Sequence, residues 1–498
     1  MDKNLIASVD LGSNSFRLQI CRNHNGQLQV IDSIKEMVRL AAGLDDQKNL
    51  RADAKLRALM CLSRFGERLR NFSSEKVRAV ATNTFRVMNN VDVFLQEAEA
   101  ALGFPIEIIA GREEARLIYT GVVHTVPFNH KRALVVDIGG GSTEFIIGKD
   151  IQPIALESLP LGCVSYTLRF FPNGKISESN FENAINTARN EIQRITDTFK
   201  KISWNLAIGS SGTARAIRDI IHSENPLKNN IDLESLLSIK RQMIECANIK
   251  KLNLPELKAD RAEVIVGGLS VMIAIFKELE ISEMMVTDAA LRDGVFYDLI
   301  GRELEHDLRD ETINTFQKRY NIDTQQAYRV EQIALNCLSA ISSSISEIDK
   351  QYWHHFVSWG AKTHEIGLSI SYTAYHKHSA YILEQSDMPG FSKTEQQNLS
   401  ILVLSHRGDL KKVQAYLERP QMATAILSLR LATLLCRART NAILPENTTL
   451  KFNHDKHKIV FGVYDDWLKK NPLTAHALNL EAEAWSKIDW QLVINAIK

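Results

Sequence analysis

The chain has 498 residues, of which 45% are hydrophobic and 24% charged, and its formal net charge is +1. This is the composition of an ordinary soluble globular protein, and the length exceeds what a single hydrophobic core usually serves, so two to four domains are expected. The net charge excludes no ligand class by itself, because a local basic patch can bind a polyanion while acidic surface elsewhere offsets its charge.

The cysteines and the apolar segments favour a cytoplasmic protein. Six cysteines are scattered along the chain with neither a CxxC pair nor Cys/His metal spacing, which favours reduced thiols over a disulfide framework. The first residues do not read as a signal peptide. The longest apolar run, residues 265–276, is about half of the roughly 20 residues that a membrane span needs, so it predicts a buried helix.

The first third of the chain alternates strand and helix patterns. Strands are predicted over residues 5–9, 17–21 and 28–33, and a helix over residues 52–69. Further strands are predicted at residues 77–81 and 106–110. A β-rich start followed by βα alternation indicates an α/β domain with a mixed sheet.

An internal repeat is the most informative feature of the sequence. Residues 5–20 read LIASVDLGSNSFRLQI, and residues 133–148 read ALVVDIGGGSTEFIIG. Both run from an apolar strand through an aspartate and a Gly-containing turn into a second strand, which suggests two similar half-molecules. If the halves face each other, the two turns meet across a cleft, where backbone N–H groups can approach phosphate oxygens closely.

The rest of the chain becomes increasingly helical. A strand is predicted over residues 154–159, a helix over 178–200, a strand and turn over 206–213, and mainly helices from 233 to 302. Beyond about residue 305 the pattern is nearly all helix, with candidates at residues 307–320, 324–345, 356–370 and 395–405. The last residues predict two strands, 449–452 and 458–463, followed by a helix.

The turns carry side chains that suit phosphate and a hydrated cation. Three consecutive glycines between strands weaken a sheet unless a backbone must approach something closely, so residues 137–144 favour phosphate binding over a plain hairpin. The first turn is a weaker signal, since an aspartate at a strand end is often structural. The third turn, residues 209–213, opens a helix whose N-terminus favours an anion, although an ordinary helix cap fits equally well.

The segments VDLGSNSFRL, VRLAAGL, ATNTFR, IIAGREEARLIYTGV, VVDIGGGSTE, GSSGT and ALRDGV follow one another in this order. Together they resemble the exopolyphosphatase/guanosine-pentaphosphatase family of the actin, hexokinase and acetate-kinase superfold. HEIGLSI and HKHSAYILEQSDMPGF resemble the family's long bacterial form. The resemblance implies actin-like α/β domains at residues 1–122 and 123–305, a helical HD-like domain at 306–447 and a small α+β unit at 448–498.

The resemblance also implies a role for individual residues. Glu114, in the first turn of a predicted helix, matches the general base that activates the attacking water, although a glutamate there is ordinarily dipole compensation. Asp10, Asp137 and Glu144 match the positions that hold magnesium, and potassium stimulation is an option. The implied phosphate contacts are Ser13, Asn14, Arg86, Gly139, Gly140, Gly141, Ser142, Thr143, Gly209, Ser211, Gly212, Thr213 and Arg292.

Substrate choice divides between two branches of that family. GGGSTE and HKHSAYIL favour exopolyphosphatase, the leading prediction, whereas Arg17 and Arg39 favour hydrolysis of pppGpp to ppGpp. Both substrates carry a terminal phosphate on an anhydride, so dual activity is a further option. A basic channel for a long polymer is suggested by Lys411, Lys412, Arg419, Arg430, Arg437 and Arg439, though a solvated helix face explains these residues as well.

The sequence departs from related patterns at two places. His364, His376, His378 and His406 invite a metal interpretation, but Glu365 stands where the HD scaffold has its aspartate. A helical domain without that metal centre is therefore favoured. Asp288 replaces a glycine of the family's segment before Arg292.

Other classes remain as alternatives. A kinase of the same superfold needs an acceptor pocket that the sequence does not reveal, and a non-catalytic alarmone binder has no need of a water-activating base such as Glu114. The resemblance implies a homodimer, no nucleic-acid partner and a cytoplasmic location, with peripheral association at the inner face of the cell membrane as an option.

Overall fold

The computed structural model of the chain describes residues 4–24, 27–126, 130–303, 307–341, 347–441 and 444–497. The chain divides into two compact units, Met1–His306 (unit 1) and Asp307–Lys498 (unit 2). Among the described residues, no helix is both long enough and apolar enough to cross a membrane.

Unit 1 contains two five-stranded mixed sheets, each covered by helices. The strands are β1 (Leu5–Leu11), β2 (Phe16–His24), β3 (Gln27–Glu36), β4 (Val77–Ala81), β5 (Ile106–Ile108), β6 (Arg132–Ile138), β7 (Thr143–Lys149), β8 (Gln152–Leu159), β9 (Leu206–Ser210) and β10 (Met285–Val286). The helices are α1 (Ala52–Leu69), α2 (Asn83–Val87), α3 (Val91–Leu102), α4 (Gly111–Val123), α5 (Cys163–Phe170), α6 (Glu178–Ile202), α7 (Ser211–Glu224), α8 (Leu233–Cys246), α9 (Ala259–Ala262), α10 (Ile265–Leu279) and α11 (Leu291–Glu303).

The two sheets repeat one topology. The first has the strand order β3-β2-β1-β4-β5, and the second has the order β10-β9-β6-β7-β8. In each, an antiparallel three-strand meander begins at the central strand, β1 or β6, which pairs in parallel with a later strand, β4 or β9. The internal repeat seen in the sequence is therefore a structural duplication, and the arrangement fits the actin-like α/β fold that the resemblance implied.

The predicted apolar run is a buried helix. Helix α10 extends from Ile265 to Leu279 and is buried along nearly its whole length within the core around the second sheet. A separate core, formed mainly by α1, α3 and strands of the first sheet, lies on the other half of the unit.

Helices α4 and α11 each pack against the sheet that does not directly precede them. Helix α4 follows β5 of the first sheet, yet its apolar residues, such as Ile118, cluster with Val135 and Ile146 of the second sheet. Helix α11 follows the second sheet, yet Phe296 clusters with Ile6 on the first. These two helices therefore connect the halves of unit 1.

Unit 2 is mainly helical and ends in a three-stranded sheet. Its elements are α12 (Leu308–Arg319), α13 (Thr324–Ile341), α14 (Glu347–Thr363), α15 (Tyr375–Gln385), α16 (Lys393–Ser405), α17 (Pro420–Leu435), β11 (Thr449–Asn453), β12 (Lys458–Tyr464), α18 (Asp465–Lys470), α19 (Pro472–Ser486) and β13 (Gln491–Ile497). The sheet order is β11-β12-β13, and the third strand pairs in parallel with the second. Residues of this sheet and of α19 share one core with the preceding helices, including Trp359, Phe461 and Trp485.

Several predicted elements of unit 2 need correction. The helix predicted over residues 356–370 is observed as α14, which begins at Glu347 and ends at Thr363. A separate 3-10 turn, Ile366–Ser369, follows it. The predicted helix 324–345 is observed as α13 to Ile341, and residues 342–346 lie outside the described part of the chain. Strand β13 and helices α15 and α17 were not predicted.

Arg430 does not belong to the predicted basic channel. Its side chain is 3% exposed, and it forms a bidentate ion pair with Glu481, with Nε–Oε1 and Nη2–Oε2 distances of 2.5 and 2.8 Å. A further hydrogen bond, from Nη1 to the Ser405 carbonyl, is 2.6 Å long. Since a buried arginine needs such partners, Arg430 anchors α19 to the helices and is not a surface cation.

Candidate functional site

The two repeated turns meet inside unit 1. A Cβ atom added at Gly140 would lie 2.9 Å from Ser13 Cβ and 3.4 Å from the Asn14 backbone nitrogen. One added at Gly141 would lie 2.3 Å from Asn83 Oδ1 and 3.3 Å from Ser13 Oγ. Real Cβ atoms essentially never approach within 3.0 Å, so Gly140 is required where the turns face each other, whereas the short contact at Gly141 is with the end of the flexible Asn83 side chain.

Hydrogen bonds hold each turn in shape and leave donors between them. Gly12 N donates to Ser15 O at 3.2 Å, and Gly139 N donates to Ser142 O at 2.9 Å. The Nδ2 group of Asn14 is buried and donates to no atom of the described protein. A buried amide without an acceptor is costly, which fits an anionic ligand that supplies the missing oxygen.

Thr143 has a different role from the one that the resemblance implied for its hydroxyl. Its side chain is fully buried, and Oγ1 donates to the Leu161 carbonyl. This hydrogen bond fastens the start of β7 to the segment after β8, so only the backbone of Thr143 remains for a ligand. Ser142, beside it, is also buried.

Three carboxylates lie at the ends of the central strands. Asp10 is near the end of β1 and Asp137 near the end of β6, while Glu144, the second residue of β7, lies opposite Asp137 in the sheet register. Ser158 on β8 donates to Glu144 Oε1 at 2.8 Å. The duplicated topology thus brings equivalent strand ends, and their acidic side chains, to one cleft.

Asp137 and Glu144 are buried, Asp10 is partly buried, and the three negative charges repel one another. Burial, together with the negative charge of Glu114, raises the pKa of Asp10 to about 7. Burial also raises the pKa of Asp137 to about 6. The pKa of Glu144 is raised well above its usual value by burial and by the charges of Glu114 and Asp137. Such a site favours a bound cation, which would stabilise the ionised forms.

The acidic residues fit magnesium held largely through water. Among the described residues, no three His, Cys, Asp or Glu side chains are close enough to form a metal site by themselves. Mg²⁺ typically keeps several water ligands and contacts only one or two carboxylates together with substrate phosphates. Oxygen donors and like-charge repulsion at Asp10, Asp137 and Glu144 therefore suit this ion better than one that needs a complete protein cage.

Glu114 is held by Arg86 at the same cleft. Glu114 lies in the first turn of α4 and is 8% exposed. Arg86 Nη1 donates to Glu114 Oε2 at 2.8 Å and to the Ile109 carbonyl at 2.9 Å. Arg86, expected to contact phosphate, therefore orients the glutamate in this structure, while its Nη2 is directed toward Gly111 and β8.

The third turn begins later than the sequence indicated. Gly209 lies within β9, and α7 starts at Ser211. Ser211 has a φ of +86°, a conformation that costs free energy for a residue with a side chain and that clusters at functional sites. Its Oγ accepts from Thr213 N at 3.2 Å, and Thr213 Oγ1 donates to the Ile138 carbonyl at 3.2 Å. Both side chains thus stabilise the turn itself.

An arginine that no motif indicated lies against this turn. A Cβ atom at Gly212 would be 1.9 Å from Arg261 Nη2, so the guanidinium of Arg261 lies against the glycine backbone. In the described part of the chain, that guanidinium forms neither a hydrogen bond nor an ion pair. Arg261 comes from the short helix α9, almost 50 residues away in sequence, so no local pattern links the two.

Further arginines face the acidic cleft. Arg292 donates from Nε to Gln19 Oε1 at 3.2 Å and from Nη2 to the Asp288 carbonyl at 2.8 Å. Burial lowers the pKa of Arg17, and so do the positive charges of Arg292 and Arg215. Three guanidinium groups within electrostatic range of one another favour a ligand with several negative charges.

Two ion pairs join the halves of unit 1 at the surface. Lys35 Nζ on β3 lies 3.3 Å from Asp260 Oδ2 on α9, and Arg39 Nη1 lies 2.9 Å from Glu263 Oε2. All four side chains are at least 30% exposed. We refer to these as the outer ion pairs.

The histidines of unit 2 form a separate cluster. The ring centroids of His364 and His406 are 5.3 Å apart, and those of His376 and His406 are 6.2 Å apart. His364 Nδ1 and His406 Nδ1 lie 2.7 and 2.6 Å from backbone carbonyl oxygens. Burial lowers the pKa of each of these three histidines. The surrounding cations, such as Lys412, lower that of His376 further, to about 4.

Family models match both units. Residues 19–303 match the Ppx/GppA phosphatase family, and residues 308–482 match domain III of Ppx/GppA phosphatases. The chain is 40% identical to guanosine-5'-triphosphate,3'-diphosphate pyrophosphatase of Pseudoalteromonas translucida, covering 99% of both chains. It is 38% identical to the protein of the same name from Vibrio vulnificus, covering 99% of this chain and 98% of the relative.

Solved structures agree with the fold of unit 1. An exopolyphosphatase from Cytophaga hutchinsonii is similar with a TM-score of 0.55 at 24% identity, covering 60% of this chain and 98% of that chain. The Aquifex aeolicus PPX-GPPA enzyme is similar with a TM-score of 0.50 at 24% identity, covering 59% and 98%. The predicted enzyme class, a phosphoric anhydride hydrolase, is confirmed. The chain belongs to the Ppx/GppA phosphatase family.

Proposed function

We propose that the chain hydrolyses pppGpp at its terminal 5'-phosphoanhydride, giving ppGpp and orthophosphate. The observation that carries the substrate is the full-length similarity, at 38–40% identity, to relatives named for guanosine-5'-triphosphate,3'-diphosphate. The sequence favoured exopolyphosphatase and kept pppGpp hydrolysis as its alternative. The relatives support that alternative better than the leading prediction.

The reaction uses the opposed turns to hold the terminal phosphate. Backbone N–H groups of residues 140–142 and the free Nδ2 of Asn14 donate to its oxygens, while the Gly139 N–H is used inside the turn. A water held by Glu114 attacks the phosphorus in line and gives a proton to the carboxylate. The bond from phosphorus to the bridging oxygen then breaks, and that oxygen leaves on ppGpp. Because the transition state is loose, placement and charge stabilisation provide most of the catalysis.

Charge at the cleft divides between two kinds of group. Asp10, Asp137 and Glu144 would hold Mg²⁺, which when bound neutralises charge on the phosphate oxygens. The guanidinium groups of Arg17, Arg215 and Arg292 are suited to the other phosphates of the substrate, since arginine forms bidentate contacts with phosphate. A nucleotide with phosphates at both the 5' and 3' positions offers negative charge at two places, which suits three arginines that come from different elements around the turns.

The test is phosphate release by the purified full-length chain with Mg²⁺, measured in parallel on pppGpp, GTP and long-chain polyphosphate. We expect kcat/KM to be highest for pppGpp, and lower for GTP because it lacks the 3'-diphosphate. A higher kcat/KM on polyphosphate would instead make the chain an exopolyphosphatase. Loss of release on adding a chelator, and its return with Mg²⁺, checks the metal requirement.

A further inference from the structure

Helices α4 and α11 cross with their backbones in contact. A Cβ atom at Gly294 would lie 1.7 Å from the Leu117 carbonyl oxygen, and one at Gly121 would lie 2.7 Å from the Ala290 carbonyl oxygen. No side chain fits at either position. Because α4 packs on the second sheet and α11 on the first, this crossing is a fixed point between the two halves of unit 1.

A further contact between the two helices lies one turn along α11 from the glycine crossing. Asp298 is four residues after Gly294 and therefore on the same face of α11. Glu113 lies one turn before Leu117, whose carbonyl oxygen faces Gly294, and the Arg116 side chain reaches both Glu113 and Asp298. The Asp298 side chain is 7% exposed, so this second contact is buried as well.

Three arginines, each from a different element, donate hydrogen bonds to Asp298. Arg116 Nη2 of α4 donates to its Oδ1 at 2.5 Å, and Arg78 Nη1 of β4 donates to its Oδ2 at 2.5 Å. Arg302, one turn further along α11, donates from Nε to Oδ2 at 3.1 Å. Burial alone would raise the pKa of Asp298, but the charges of Arg116, Arg78 and Arg302 hold it far below its usual range.

Asp298 is hydrogen-bonded to both elements that place Glu114, helix α4 through Arg116 and strand β4 through Arg78. Arg116 is two residues after Glu114 on α4. Its guanidinium also donates to the Glu113 carboxylate, with Nε–Oε2 and Nη2–Oε1 distances of 2.8 and 2.7 Å. Arg78 lies on β4, the strand that leads into the segment carrying Arg86, the hydrogen-bond partner of Glu114. Arg78 also donates twice to Glu107 of the neighbouring strand β5, at 3.1 and 2.9 Å.

We propose that Asp298 is a positioning residue for Glu114, setting the rotation of α4 about the glycine crossing and hence the placement of the water-activating carboxylate. The proposal rests on the proposed role of Glu114 as general base, but not on which anhydride is the substrate. Asp298 itself makes no contact with Glu114 and acts through Arg116 and Arg78.

The chemistry of the network favours positioning over bulk stability. A buried ion pair is often no more stabilising than apolar side chains of similar size, because desolvation offsets the attraction. Arginine forks, however, bond in a fixed planar geometry and so define orientation. A displacement of about 1 Å in a reacting group can cost about 10²-fold in rate.

The experiment compares Asp298→Asn with a matched control, Glu278→Gln. Glu278 is also buried and receives Arg189 Nε at 2.6 Å, joining α10 to α6 away from Glu114. We expect Asp298→Asn to lower kcat about 10–100-fold with KM changed less than about threefold, and Glu278→Gln to leave kcat within about twofold. Equal effects of the two substitutions on kcat would overturn the proposal.

A double variant separates positioning from an independent contribution. If Asp298 acts only through Glu114, Asp298→Asn should cause no further loss of kcat in the Glu114→Gln background. Multiplying losses would contradict the proposal. If Asp298→Asn does not fold, Arg116→Lys keeps the charge but loses the fork, and the same kcat-specific loss is expected. An unimpaired Arg116→Lys would then reject the proposal.

Failure of the proposed function gives a different result. The series can be run on whichever anhydride the wild-type enzyme cleaves, so a preference for polyphosphate leaves the test intact. Near wild-type turnover by Glu114→Gln would remove both the general base and its positioning residue. An impaired Glu114→Gln with an unimpaired Asp298→Asn would remove only the latter.

Discussion

At the scale of single residues, Glu114 combines burial, a fixed orientation and proximity to the acidic strand ends. Replacing it by glutamine keeps its size but removes the proton acceptor. We expect kcat to fall about 10²–10⁴-fold, the usual contribution of a general base, with KM little changed. The measurement is steady-state phosphate release. Glu157→Gln is the control, because Glu157, on the nearby strand β8, forms an ion pair at 2.6 Å with the exposed side chain of Arg112.

Gly140 tests whether the two turns must stay in contact. Its added Cβ would lie 2.9 Å from Ser13 Cβ, so Gly140→Val must push the turns apart, and overpacking of this kind costs about 1–3 kcal/mol. We expect weaker substrate binding, measured by calorimetry in the Glu114→Gln background, with a smaller loss for Gly140→Ala. Unchanged affinity in the valine variant would show that the turn does not hold phosphate.

The sequence indicated the turn residues because each motif is local. Asp10 and Asp137 lie at the ends of strands and the glycines of the turns follow, so strand prediction and the internal repeat place them at one cleft. Arg261 and Asp298 were missed because their partners lie far away in sequence. Arg78 and Asp298 are 220 positions apart, and no pattern within a single segment records such a contact.

At the scale of helices and strands, prediction worked best where one face of an element is exposed. Helix α1 was predicted with its observed bounds, because it alternates buried and exposed residues with helical spacing. Helix α17 is buried on almost every side, which removes the periodic signal on which such predictions depend. Strand β13 was also missed: it follows α19 closely, and β12, the strand with which it pairs in parallel, lies about 30 residues earlier in the sequence.

Helix α16 offers a test of local stabilisation in unit 2. Ser392 Oγ accepts from Glu395 N at 3.2 Å, while Glu395 Oε2 accepts from Ser392 N at 2.8 Å, forming a capping box. Ser392→Ala should cost about 0.5–2 kcal/mol and lower the Tm of unit 2 by several degrees. The exposed Ser486, whose hydroxyl donates to the Glu483 carbonyl, provides the control, and Ser486→Ala should change Tm little.

At the scale of the whole molecule, the duplicated topology could be predicted because the same strand-turn-strand pattern occurs twice in the sequence. The choice of substrate was not readable in the same way. Polyphosphate and pppGpp present the same terminal anhydride to the turns, so the catalytic motifs are insensitive to what lies beyond it. Only residues that contact the remainder of the substrate distinguish them, and the arginines proposed for that role, Arg17, Arg215 and Arg292, come from scattered positions.

The histidine cluster makes the stability of unit 2 depend on pH. The pKa of His376 is about 4 in the folded chain, against an ordinary value of 6.5, so between these values the unfolded chain binds more protons. The free energy of unfolding should therefore fall as the pH is lowered from about 6.5 to about 4. Tryptophan fluorescence during urea unfolding reports mainly on unit 2, because Trp204 alone of the six tryptophans lies in unit 1.

His376→Gln removes one of the responsible groups. Its free energy of unfolding should vary less with pH over that interval, whatever its absolute stability at pH 7. The same slope in variant and wild type would mean that other residues cause the acid sensitivity.

The free energy contributed by the outer ion pairs, Lys35–Asp260 and Arg39–Glu263, can be compared with that of binding a charged ligand. Exposed pairs are worth about 0–1 kcal/mol each, so together they favour the observed arrangement of the two halves by at most about thirtyfold. A ligand carrying several negative charges can supply far more than that. The free energy of ligand binding, rather than these pairs, therefore dominates any preference for this arrangement, and the pairs weaken further as the salt concentration rises.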